Sequence, residues 1–155
     1  MGVFSLFKKR SLNEKVIDKI YNKIFVKEYI ISDLKINEKY IESLLICNYG
    51  IYLIKIIATK NQIKLLDDNY VFDNQKINLH DIENNLNENI FLIQNIIGND
   101  FDINKKVIIK CYNQDDFNDN SINEFILELE KNKKILSNEN IEDIYKKLVL
   151  FKTYK

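Results

Sequence analysis

The sequence predicts an α/β domain: a single mixed β-sheet flanked by helices. Three observations predict it. The chain has 155 residues, 46% of them hydrophobic and 30% charged, which is enough for one ordinary globular core without disulfides or metals. Isoleucine-rich runs of strand length alternate with segments whose apolar residues recur every three or four positions. Their order is helix, at least three strands, helix, strand, one ambiguous run and a last helix, an order that packs as helices over one sheet.

The segments follow in chain order. Residues 1–10 are apolar and then basic, and read as a flexible terminal segment ahead of a single domain over 11–155. Over 11–25, Val16, Ile17, Ile20, Ile24 and Phe25 fall at helical spacing, with Ser11 or Asn13 as the cap. The runs 29–36, 40–47 and 51–58 are β-rich, and Asn48-Tyr49-Gly50 suits a tight turn inside a hairpin over 39–58. Runs 62–66 and 70–72, parted by Asp67-Asp68-Asn69, read as short strands extending the sheet edge. Over 81–97, Ile82, Leu86, Ile90, Ile93 and Ile97 mark a helix stopped by Gly98. A buried strand follows at 107–112, then an acidic polar loop at 113–121. Residues 125–129 fit strand or helix, and 137–151 is a terminal helix capped by Ser137 with Glu139 in its first turn.

Charge and composition narrow the function. Lys and Arg together number 23, balanced by 23 Asp and Glu, so the chain lacks the basic footprint of a nonspecific nucleic-acid binder. No apolar stretch reaches the roughly 20 residues of a membrane span, and no signal-peptide core is present, so a cytoplasmic location is expected. Cys47 and Cys111 have no paired spacing and read as buried free thiols of a reducing compartment.

One residue breaks the pattern. In Ile51-Tyr52-Leu53-Ile54-Lys55-Ile56-Ile57 both faces are apolar, as in a central strand covered on both sides, and Lys55 alone is charged. A buried ammonium needs an opposite charge, a route to solvent or a shifted pKa. A two-residue loop at Asn48-Tyr49 pairs positions summing to 97, which sets Glu42 across from Lys55. A cross-strand ion pair and a functional site both fit that placement.

At this hairpin the chain resembles the nuclease-related domain (NERD) family of the PD-(D/E)xK nuclease superfamily. The resemblance runs over about 12–148. Glu14, in Leu12-Asn13-Glu14-Lys15, stands at the family's helix glutamate, and Ile41-Glu42 at its Ile-Asp strand. Gly50-Ile51-Tyr52-Leu53-Ile54-Lys55-Ile56-Ile57 is similar to its Gly-Ile-x-x-Ile-Glu-x-Lys strand, and Gln94-Asn95 to its helix glutamine. The resemblance implies a restriction-endonuclease-like fold. It also implies carboxylates that hold Mg²⁺ to activate water and a lysine that positions the nucleophile. The departures fall on those roles: Lys55 replaces the core glutamate, Ile57 the lysine and Glu42 the aspartate, and the proline before the glutamine is absent. The motif left, Glu14, Glu42, Lys55 and Gln94, is a degenerate site. A cation in a ligand's place repels Mg²⁺ and neutralises Glu42 and Glu14 instead.

The reading that results is a nuclease-related protein without catalysis and without a cofactor, acting as a binding or assembly module on a protein partner or on itself. A second is an active Mg²⁺-dependent nuclease on DNA or RNA, with Glu14 and Glu42 as metal ligands. A third is a self-associating or partner-binding α/β domain unrelated to nucleases. Other candidates for chemistry are thin. His80, the sole histidine, precedes a helix beside Asp81 and acts as a base only if a nucleophile converges on it. The run Asp115-Asp116-Phe117-Asn118-Asp119-Asn120 lacks the glycine and terminal glutamate of a calcium loop and reads as solvated surface.

Overall fold

A computed structural model describes residues 28–60, 62–111 and 120–153. The helix expected at 11–25, the terminal segment 1–10 and most of the acidic loop lie outside the described residues.

The order of elements is β1 (Glu28–Ile31), β2 (Lys35–Ile36), β3 (Lys39–Tyr40), β4 (Ser43–Cys47), β5 (Gly50–Thr59), β6 (Lys64–Leu66), β7 (Asn69–Phe72), β8 (Gln75–Asn78), α1 (Leu79–Ile97), β9 (Ile103–Cys111), α2 (Asn120–Lys131) and α3 (Asn138–Val149). The fold is α/β with a mixed central sheet in the order β1-β4-β5-β9, antiparallel except for the parallel pair β5-β9. A parallel pair needs a long crossover, and the ribbon β6-β7-β8 with α1 supplies it.

β5 is central and apolar on both faces because each face meets its own core. On one side Leu44, Ile46, Ile51, Leu53 and Ile57 pack with Ile82, Leu86 and Ile93 of α1 and Ile141, Ile144 and Leu148 of α3. On the other, Leu45, Cys47, Tyr52, Ile54 and Ile108 pack with Phe125, Ile126 and Leu129 of α2. The ambiguous run 125–129 is therefore helical. A strand would put Phe125, Leu127 and Leu129 on one face, yet Leu127 is 54% exposed while the other two are fully buried.

The helix ends follow local chemistry. α1 starts at Leu79, two residues before the expected start, because the Asn78 side chain accepts from the backbone N–H groups of His80 and Asp81. Gly98, at φ 94°, closes it by donating to the Gln94 carbonyl at 2.8 Å. Ser137 caps α3 in a capping box completed by Asn140. α3 stops at Val149, not 151, and the next residues join the main chain near β2 instead: Lys35 N–H donates to the Phe151 carbonyl and Thr153 N–H to that of Asp33.

Several strand expectations need correction. The runs 29–36 and 40–47 each break in two, since β2 and β3 form their own hairpin around Asn37-Glu38. The residues 62–72 do not extend the central sheet's edge. With β8, which had no counterpart in the expectation, they make a separate three-stranded ribbon, closed by two-residue turns at Asp67-Asp68 and Asp73-Asn74. All three turns place both central residues at positive φ, the twist that lets a chain fold straight back on its neighbour. β9 begins at Ile103, earlier than 107: it lies at the edge of the described sheet, where Lys105 is exposed and Lys106, on the opposite face, reaches Glu128 of α2 at 3.1 Å.

Candidate functional site

The β4-β5 hairpin has the register that its loop length implies. Ser43 faces Ile54, Leu44 faces Leu53 and Cys47 faces Gly50, each pair summing to 97. Gly50 takes φ 142°, a conformation open to glycine and strained for other residues, where the chain re-enters the sheet. One step before β4, Glu42 meets Lys55, and Lys55 Nζ lies 3.1 Å from Glu42 Oε1.

The burial expected of Lys55 is corrected. Its side chain is 34% exposed and that of Glu42 29%, because both reach the wall of a cleft rather than the core. Among the described residues the lysine that is buried within the sheet is Lys110 of β9, at 2% exposure. It falls inside the strand expected at 107–112, where its apolar neighbours form a shorter run than those around Lys55.

The cleft, about 200 Å³, opens between the hairpin and the start of α1. Glu42 and Lys55 line one side; Ile77 of β8 and Asp81, Ile82, Asn85 and Leu86 of α1 line the other. Ile82 and Leu86, one turn apart, bury toward the sheet and form an apolar floor. Asp81 and Asn85 sit beside them at the same spacing, exposed at the rim. Asn85 Oδ1 accepts from Asn89 Nδ2 at 3.3 Å, and Asn89 is itself buried under the helix. The start of α1 is fastened to the ribbon: Leu79 N–H donates to the Asp68 carbonyl at 2.8 Å, and Asn78 Nδ2 to Asn69 Oδ1 at 3.0 Å.

Of the four residues in the degenerate motif, the structure brings Glu42 and Lys55 together. Gln94 lies two turns beyond Leu86 along α1, outside the cleft lining. Glu14 lies outside the described residues. Asp81 and Asn85 are the cleft residues that the sequence did not single out as a pair; their signal is an i, i+4 polar pair bordering an apolar stripe, which surface helices show routinely.

The remaining candidates separate from the cleft. His80 Nε2 is 3.6 Å from Asp68 Oδ2, both side chains about two-thirds exposed, and no nucleophile adjoins it among the contacts of the described residues. Cys47 is a buried free thiol, pushed up to about 11 mainly by burial, which leaves it protonated and unreactive near neutral pH. Cys111 begins the stretch whose side chains are not described. Most of the acidic loop also lies outside the described residues; Asn120 opens α2.

Lys55 holds a positive charge 3.1 Å from the one hairpin carboxylate, and among the described residues no three His, Cys, Asp or Glu side chains converge. No described helix is long and apolar enough to cross a membrane. Comparison with known proteins finds no matching family model, no matching curated protein and no matching solved structure.

Proposed function

We propose that this chain is a nuclease-related domain that has lost catalysis and serves as a binding module, with the cleft at Glu42 and Lys55 as its recognition site and a protein as its partner. The observation that carries the reading is the ion pair itself. The resemblance to the NERD family sets Lys55 where a metal-binding carboxylate belongs, and Lys55 instead neutralises Glu42 at 3.1 Å. An ammonium there opposes a divalent cation by direct repulsion and removes the negative charge that would attract one. A cytoplasmic setting suits the buried free thiol of Cys47.

The test is cleavage of labelled DNA and RNA by the purified chain with Mg²⁺ or Mn²⁺. No cleavage above background is the expected result. Metal-dependent cleavage that disappears in Glu42→Ala would overturn the reading and restore the nuclease.

A further inference from the structure

We infer that the cleft receives a basic side chain, lysine or arginine, presented by a partner protein. The inference rests on the binding-module reading and names what the site binds. Size comes first: about 200 Å³ is below the roughly 300–1,000 Å³ of pockets that enclose drug-sized ligands and suits a single side chain. Chemistry comes second. The described lining has two carboxylates, Glu42 and Asp81, against one ammonium, Lys55. Lys55 is committed to Glu42, so the balance left at the rim is the negative charge of Asp81, which has no ion-pair partner among the described residues. A phosphate or carboxylate entering the cleft would meet that charge with no free cation to offset it.

The layout of the lining sets the shape of the guest. Ile77, Ile82 and Leu86 offer an apolar floor, and Asp81 and Asn85 stand together at the mouth. A lysine or arginine has the matching form, a hydrocarbon stem that lies on apolar surface and a cationic head that stays at the polar rim. A charged head donating to Asp81 forms a charge-assisted hydrogen bond, stronger than a neutral contact.

The test titrates the full chain, isotope-labelled on Ile and Leu methyls, with the amides of N-acetyl-arginine, N-acetyl-lysine and N-acetyl-citrulline, and separately with Mg²⁺. The expected result is saturable shifts at Ile82 and Leu86 with the two cationic probes, and binding about fivefold or more weaker for uncharged citrulline, as loss of a charge-assisted bond implies. Asp81→Asn, an exposed change that leaves the core intact, should weaken the cationic probes to the citrulline level. Equal binding of citrulline, no saturable shift, or an unchanged response in Asp81→Asn overturns the inference. Shifts produced by Mg²⁺ alone at the same methyls also overturn it, by making the cleft a metal site. Failure here leaves the cleavage assay silent, so the loss of this inference is distinct from the loss of the non-catalytic reading.

Discussion

Glu42 and Lys55 are joined at 3.1 Å across a hairpin, each about one-third exposed, so the pair is neither a core ion pair nor a freely solvated one. Breaking it from either side leaves one charge at the cleft wall. Glu42→Gln and Lys55→Met should each cost about 1 kcal/mol, near the upper end for solvent-accessible pairs. The double variant Glu42→Gln/Lys55→Met should return to within about 0.5 kcal/mol of the parent, since no unpaired charge is left. Urea unfolding of the four proteins gives the coupling energy; additive losses would show the two residues to be independent.

Stability should fall as pH rises from about 4.5 to 7. Desolvation raises the Glu28 carboxyl to about 7, and its Oε2 is buried without a hydrogen-bond partner among the described residues. The folded protein therefore holds a proton that the unfolded chain releases above its ordinary value of 4.5, so folding is favoured below that value and the advantage is gone above 7. Glu28→Gln should raise Tm at pH 8 by about 2–4 °C, the size of about 1 kcal/mol once partial exposure is discounted, and should change little at pH 4. Calorimetry at the two pH values checks it.

The capping box of α3 should be measurable. Ser137→Ala removes the acceptor of the Asn140 N–H and should cost about 1 kcal/mol, read from the urea midpoint. Ser137→Asp, which keeps an acceptor, should recover most of it.

The core on the α2 face should be as exacting as the larger one. Phe125 is fully buried and meets Tyr52 edge-on with ring centroids 5.4 Å apart. Phe125→Ala should destabilise by about 3–5 kcal/mol, whereas Leu127→Ala, on the exposed side of the same helix, should cost less than about 1 kcal/mol. Equal losses in denaturant unfolding would contradict the helical assignment.

What was legible in the sequence was mostly local. The hairpin register followed from a two-residue loop, and it placed Glu42 opposite Lys55 correctly because antiparallel pairing is determined by loop length. α1 and α3 followed from periodicity and from Gly98 and Ser137. The turns at Asn37-Glu38 and Asp73-Asn74 escape a reading that looks for glycine, because they use Asn, Asp and Glu; the turn at Asp67-Asp68 is legible, but which sheet its strands join is set by non-local packing. Asp81 and Asn85 could not be joined to Glu42 and Lys55 in advance, since no periodicity states where a helix will cross a sheet. The apolar neighbours of Lys55 imply burial, while its side chain is long enough to leave the layer that its Cα occupies.

The three turns of the small hairpins have a thermodynamic side as well. Asn37, Glu38, Asp67, Asp68, Asp73 and Asn74 all hold left-handed backbone conformations that L-residues adopt at an energetic cost, lowest for Asn and Asp. These hairpins therefore carry conformational strain that the rest of the fold must offset. The ribbon that anchors the first turn of α1 is thus a lightly secured support, and the cleft wall it holds in place depends on some of the least relaxed backbone among the described residues.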